Sequence, residues 1–265
     1  MLKYTDDIRR YELKYTVSEE VACAIREYVK DICTYDKHVL PGTDGYIINT
    51  LYFDTPDLRL YHHAKIRRLN RYKTRVRYYG LQPAEDLWTE VKYRSGNVIW
   101  KRRCRVPLEF WPKLIEPELT TLQQPIIKDR LDTFDELVLW LGAQPTLHVR
   151  YFREPYVTEL EDYGRITFDR RICCAPAEDT YHLEYNEQDM IYFDDPLTTR
   201  NEHSPVILEI KVETLVPMWA IELIRTFHLK QRSFSKYCYG LDFLMECPTC
   251  RTPNSDRSYY YRKTA

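Results

Sequence analysis

Lys73-Thr74-Arg75-Val76-Arg77-Tyr78 places a cation at every second position. In an extended chain, residues two apart point to the same side. This stretch therefore reads as a β-strand with one basic face and one mostly uncharged face. Two later runs repeat the pattern: Glu90, Lys92 and Arg94 alternate with Val91 and Tyr93, then Lys101, Arg103 and Arg105 with Arg102, Cys104 and Val106. Gly80 to Asp86 and Ser95-Gly96-Asn97 supply the turns, so the three runs form an antiparallel meander. Far along the chain, Glu209, Lys211 and Glu213 alternate with Leu208, Ile210 and Val212.

Outward from these strands the charge balance changes. Between Arg59 and Arg105 stand 14 Lys or Arg against 3 acids (Glu85, Asp86 and Glu90), yet the formal net charge of all 265 residues is −1. A nonspecific nucleic-acid binder carries a basic excess overall. A local positive field in a near-neutral chain suits a pocket for a polyanion, and no nucleic-acid partner is expected. No apolar run reaches the length of a membrane span, and the N-terminus lacks a signal-peptide core, so a cytoplasmic chain is expected. The eight cysteines are irregularly spaced and read as reduced thiols. Cys247 and Cys250 form a C-x-x-C without a second pair, for which incidental thiols are the simpler reading than zinc.

Further elements follow from periodicity. Arg10 to Thr16 reads as a strand. Ser18 caps a helix whose apolar stripe runs to about Cys33, with Glu19 and Glu20 in its first turn. Tyr46 to Asp54 is a strand, and 58–68 a short helix. Residues 110–142 read as helical, clearest from Asp129 to Leu141 and stopped by Gly142. Strands are expected at 145–158, 164–172, 181–185 and 205–213, and helices at 217–227 and 235–245. One domain over 1–246 and a polar tail over 247–265 result. The fold class is α+β, either as an open sheet with its charged face in water or as a closed antiparallel β-barrel with charged faces inward, braced by helices.

Alternating charge on a sheet is usually the solvated face. Stacked Arg and Lys on neighbouring strands repel one another, and a bound anion would offset that repulsion. Arg offers a planar fork that matches phosphate oxygens. Glu90 and Glu209, each two residues from a lysine, could serve a divalent metal or pair with that lysine. The chain has no P-loop, Rossmann glycines, G-x-S-x-G or H-E-x-x-H motif. The adjacent His62 and His63 read as surface residues. Most tyrosines fall opposite the basic face and read as core packing.

In order, Arg-Tyr-Glu-Leu-Lys-Tyr (10–15), Leu-Tyr-Phe-Asp (51–54), Lys-x-Arg-x-Arg-x-Tyr (73–79), Glu-Val-Lys (90–92), Lys-Arg-Arg (101–103), Tyr-Phe-Arg-Glu-Pro-Tyr (151–156), Arg-Ile-Thr-Phe-Asp (165–169), Leu-Glu-Ile-Lys (208–211) and Ser-Phe-Ser-Lys-Tyr (233–237) resemble the VTC domain. That is the polyphosphate-polymerase domain of vacuolar transporter chaperone complexes, within the wider triphosphate-tunnel group that includes the CYTH phosphohydrolases. The resemblance implies a tunnel of about eight strands. It implies catalytic roles for Lys14, Arg75, Arg77, Lys92, Arg103, Arg153, Arg165, Lys211 and Lys236. Lys65, Lys73, Lys101, Ser235 and Glu90 are further substrate-binding candidates, with Arg102 able to share the role of Arg103. Glu209 and Glu12 are the implied metal ligands, for Mn²⁺ or Mg²⁺. The implied activity is transfer of the γ-phosphoryl of ATP to inorganic polyphosphate. Runner-up readings are a tripolyphosphatase or related triphosphate hydrolase of the same fold, and a non-catalytic polyphosphate or inositol-phosphate binder. CYTH hydrolases carry Glu-x-Glu-x-Lys; Arg10 here replaces the first Glu, which favours polymer handling over water activation. The SPX domain and membrane helices of the eukaryotic complexes have no counterpart in this sequence, so a separate membrane-protein partner is an expectation. The oligomeric state is left open.

Overall fold

The computed structural model describes residues 11–96, 98–112, 134–158, 164–177, 181–195, 205–212 and 216–246. Among them, ten strands form one antiparallel sheet: β1 (Tyr11–Val17), β2 (Cys33–Tyr35), β3 (Tyr46–Asp54), β4 (Asn70–Tyr79), β5 (Asp86–Ser95), β6 (Val98–Pro107), β7 (Gln144–Thr158), β8 (Gly164–Pro176), β9 (Ile191–Tyr192) and β10 (Val206–Val212). The order is β1-β10-β8-β7-β3-β4-β5-β6, with β2 beside β7 and β9 beside β8. Five α-helices brace it: α1 (Glu19–Val29), α2 (Arg59–Lys65), α3 (Glu136–Leu141), α4 (Met218–Thr226) and α5 (Lys236–Glu246).

The sheet curls into a half-barrel whose concave face carries the charged rows. Its outer face is apolar because each strand alternates, and helices cover that face in two places. On β1, β10 and β8, Tyr15, Leu208, Ile210, Ile166 and Phe168 pack against Ala22, Ile25 and Val29 of α1 and Ala220 and Leu223 of α4. The spacing of these helical residues puts them on one stripe. Ser18 caps α1, its hydroxyl accepting from the Val21 amide at 3.3 Å. On β4 to β6, Val76, Tyr78, Leu87, Cys104 and Val106 pack with Trp111, Phe134 and Val138.

The third cluster lies inside the curl. Tyr52, Leu147, Val149, Ile172, Cys174 and Ile207 meet Tyr61 of α2 and Tyr237, Leu241 and Leu244 of α5. These two helices thus fill one end of the concavity on its β3, β7, β8 and β10 side. Asp54 fixes them: one oxygen accepts from the Leu60 amide at 2.8 Å, the other from the Tyr61 amide at 2.8 Å and the Tyr237 hydroxyl at 2.5 Å. A bulge sets where charge gives way to plug. The β7–β8 register shifts between Arg150 and Phe152, and Arg171 on β8 takes φ 52°. The extra residue reverses the alternation. Arg165, Thr167 and Asp169 therefore share the concave side with Ile172 and Cys174.

Four expectations are corrected. The barrel is not closed: β1 and β6 end the strand order without a backbone pair between them. Charged side chains span the interval instead, Lys92 of β5 reaching Glu12 of β1 at 2.6 Å, and the Arg232 amide donates to the Lys14 carbonyl at the edge of β1. Residues 181–185 form no strand; β9 at Ile191–Tyr192 takes the place beside β8. Helix α1 stops at Val29, and Cys33 already begins β2. Arg102 pairs with Val91 and so lies on the opposite face from Arg103. Of the expected helix from Asp129, α3 is the described part, ended by Gly142 at φ 59°. Arg10, Asn97, Glu213, Cys247 and Cys250 lie outside the described residues.

Candidate functional site

The meander builds one wall of the trough. Its register aligns Arg75, Glu90 and Arg103 in one row and Lys73, Lys92 and Lys101 in the next. Three lysines directly opposite one another repel. Glu90 is the counterweight, 1% exposed. Arg75 NH2 lies 2.6 Å from it, Lys101 Nζ 2.8 Å, Arg103 Nε 3.4 Å and Arg77 NH1 3.8 Å. Burial pushes the Glu90 carboxyl up, but these cations outweigh it and hold it well below the usual range. Burial, with Lys14 and Lys92 nearby, pulls Lys73 down to about 8. Burial and the charges of Arg77 and Arg75 pull Lys101 down to about 7, although 41% of its side chain stays in solvent and screens the effect.

The second wall comes from β1, β10, β8 and β7. Here acids and bases alternate across strands: Glu12 opposes Lys211, and Lys14 opposes Glu209. Glu209 lies 3.3 Å from both Lys14 and Lys211 and 3.5 Å from Arg153. Arg153 also forms a bidentate pair with Asp169, at 2.7 and 2.8 Å, and Lys236 approaches the same carboxylate at 2.5 Å. Asp169 has no exposed surface. Burial and Glu209 push Glu12 up, but Lys92, Lys211 and Lys14 bring it down to about 2. Glu209 is held well below its usual range because Lys14, Lys211 and Arg153 outweigh its burial. Burial pulls Lys211 down to about 8 despite Glu209 and Glu12.

The walls meet over the trough. Besides the Lys92–Glu12 pair, Lys73 donates to the Ser235 hydroxyl at 2.7 Å and Lys14 to the Phe234 carbonyl at 3.5 Å. The chain entering α5 thus joins β1 to β4. Some aromatic rings share the basic face: Tyr52 and Tyr151 are buried in the cluster inside the curl and also meet arginines. Arg75 lies over Tyr52 at 5.9 Å, Arg153 over Tyr151 at 5.3 Å and Arg103 over Trp88 at 3.6 Å. Such rings orient guanidinium planes without neutralising them. Among the described residues, buried donors are left over: the Nε atoms of Arg77 and Arg165 and the hydroxyls of Thr50 and Thr167 make no hydrogen bond, and Arg103 Nε has only its ion pair with Glu90. Unused buried donors are costly, and a polyanion supplies acceptors for them.

The structure brings together on the two walls Glu12, Lys14, Lys73, Arg75, Arg77, Glu90, Lys92, Lys101, Arg103, Arg153, Arg165, Glu209 and Lys211, with Ser235 and Lys236 from the start of α5. Arg165 sits near one end, 2.9 Å from Asp36. Lys65 stands apart on α2, 2.7 Å from Asp242 of α5. The sequence reading missed Asp169, although it continues the alternation of Arg165 and Thr167. It also missed Tyr52, Tyr151 and Trp88, whose parity matches Arg75, Arg153 and Glu90. Among the described residues no three His, Cys, Asp or Glu gather into a metal cage. Glu12 and Glu209 nevertheless act on each other electrostatically across β1 and β10. Two carboxylates beside a basic trough fit the way Mg²⁺-like ions bind, with substrate phosphates and water completing the shell.

No curated protein sequence matches the chain. Solved structures do: a "putative adenylate cyclase" from Bacillus halodurans is 13% identical with a TM-score of 0.46, covering 88% of this chain and 95% of its own. A protein from Pyrococcus horikoshii is 14% identical with a TM-score of 0.44, over 88% and 98% of the two chains. A "putative adenylate cyclase" from Vibrio parahaemolyticus is 14% identical with a TM-score of 0.43, over 89% and 98%. The VTC domain family model matches residues 9–245, which contain every described strand and all but the last residue of α5. The chain therefore belongs to the VTC domain family.

Proposed function

We propose that this protein is a polyphosphate polymerase, transferring the γ-phosphoryl group of ATP to the end of an inorganic polyphosphate chain. The observation that carries this reading is the interior of the half-barrel, where two cation-rich walls face each other and carboxylates concentrate on one of them. Phosphoryl transfer needs alignment and charge neutralisation more than a protein nucleophile. The guanidinium forks of Arg75, Arg77 and Arg103 suit the equatorial oxygens of one set of phosphates, and Arg153 and Arg165 those of the other. Lys14, Lys92, Lys211 and Lys236 add point charges between them. A terminal oxygen of the acceptor chain attacks the γ-phosphorus, the bond to the β–γ bridging oxygen breaks, and ADP leaves with the electron pair. The chain gains one phosphate.

Glu209, with Glu12, would hold Mn²⁺ or Mg²⁺, which when bound supplies extra charge neutralisation on the donor phosphates. Both carboxylates stay ionised, because the lysines around them hold their pKa values low. No described helix is long and apolar enough to cross a membrane; a separate membrane protein that carries the polymer across one is part of the proposal. The test is direct. Purified protein with ATP and Mn²⁺ is expected to give a polyphosphate ladder on a gel, with ADP released in step. Phosphate release without a ladder would instead favour the hydrolase, and tight triphosphate binding with no turnover a binding module.

A further inference from the structure

The cation ladder of β4 and β5 does not stop at Lys73 and Lys92. One step further along the same face, Arg71 is the register partner of Arg94, about 7 Å from the preceding row. Neither meets a carboxylate among the described residues. Arg71 donates to the Arg68 carbonyl at 2.7 Å, and Arg94 to the Gly96 carbonyl at 2.8 Å. Arg67 and Arg68 stand exposed in the turn that follows α2, Arg67 in the left-handed region at φ 53°. Asp242, the acid that α5 contributes nearby, is occupied by Tyr61 and Lys65. Burial, then Arg94 and Arg67, push Arg71 below the usual guanidinium range, so these charges feel one another.

The opposite end of the trough is built differently. Arg105 there is paired with Asp86 and Arg165 with Asp36. The chain has 40 acids for 39 Lys and Arg, so acids are not scarce. Among the described residues four arginines stand without one, and the two directly opposed across strands, Arg71 and Arg94, repel each other in the free protein. A ligand whose negative charges repeat along its length would relieve that repulsion, and Arg forks suit phosphate oxygens.

We infer that this rim is a second polyphosphate-binding segment, outside the transfer site, which holds the part of a long chain that extends beyond the trough. The inference rests on the polymerase reading. Its specific content is length dependence: a tripolyphosphate fills the trough without reaching the rim, whereas a long chain engages both. The exposed Ile66 and Leu69 flank the arginines, but continuity of the register with the trough favours the polymer over a lipid surface.

The experiment compares binding of tripolyphosphate and of long-chain polyphosphate to the wild type, to Arg71→Gln/Arg94→Gln and to Arg67→Gln/Arg68→Gln. The second pair lies in an exposed turn and guards against misfolding of the first. Expected is a loss of roughly tenfold or more for the long chain, a shallower dependence of that binding on salt, and unchanged tripolyphosphate binding. Equal losses for both ligands, or no loss in either pair, would overturn the inference. So would a wild type that binds tripolyphosphate but shows no preference for length, which leaves the polymerase reading standing. A wild type that binds neither polyanion brings down both. Vesicles rich in phosphatidylglycerol complete the set: if the variants lose vesicle binding and keep long-chain binding, the rim belongs to a membrane surface instead.

Discussion

The two walls of the trough use the same side chains in different proportions. On β4 to β6 a single carboxylate, Glu90, sits among Arg75, Arg77, Lys101 and Arg103. On β1, β10, β8 and β7, Glu12, Glu209 and Asp169 are interleaved with Lys14, Lys211, Arg153 and Lys236. The first wall has an unbalanced positive charge and suits the grip of phosphates. The second sets three carboxylates against four cations, and under the proposed function Glu209 and Glu12 would hold the metal there. The two sides of one trough thus differ in how many acids are set against their cations.

Removing an acid should therefore have different consequences on the two walls. The largest effect is expected from Asp169→Asn. Asp169 is fully buried and holds both Arg153 and Lys236. Breaking a buried pair on one side costs about 3–5 kcal/mol, measurable by urea unfolding; a loss under about 1 kcal/mol would show that these cations do not depend on it. Next comes Glu209→Gln. Metal-dependent turnover is expected to fall by more than about 100-fold, while polyanion binding is kept. Unchanged turnover would remove Glu209 from the proposed mechanism.

Glu90→Gln should act with the opposite sign on binding. It frees four cations from their internal partner, so tripolyphosphate should bind more tightly, by roughly tenfold or about 1.4 kcal/mol. Stability should fall at the same time. Weaker binding would mean that Glu90 orders the arginines more than it competes with phosphate. The smallest effect concerns pH. In the free protein Lys73 and Lys211 lie near 8 and Lys101 near 7. A bound polyanion raises all three. Binding at pH 8 should then take up protons and weaken several-fold as pH rises from about 7 to 9, seen by calorimetry in buffers of different ionisation enthalpy. Proton release would contradict the assignment. Stability follows the acids instead. Glu90, Glu209 and Asp169 lie below their unfolded values, so their contribution is full above about pH 4.5 and is lost as pH falls through the folded values.

Much of this was legible beforehand. The rows of β4, β5 and β6 follow from alternation, and the turns at Gly80 and Gly96 fix their antiparallel order. Ser18 and Gly142 mark helix ends by local backbone chemistry alone. Asp169 was harder to see: alternation puts it on the face of Arg165 and Thr167, but its role as counter-ion shows only once Arg153 and Lys236 are placed against it. Most tyrosines alternate onto the face opposite the basic residues, which reads as core packing. Yet Tyr52 alternates with Leu51 and Phe53, both in the outer cluster, while Tyr52 itself faces Arg75.

The sequence alone determined which residues share a strand face, because the two-residue repeat of an extended chain is local geometry. It also determined that the charge is concentrated while the whole stays neutral. Tertiary structure decided what those faces meet. Whether β1 joins β6, where the bulge at Arg171 reverses the alternation, and which acid balances which base depend on residues far apart in the chain. A carboxylate such as Glu90 can be a metal ligand, a counter-ion or a surface charge, and only the cations folded around it select among these roles.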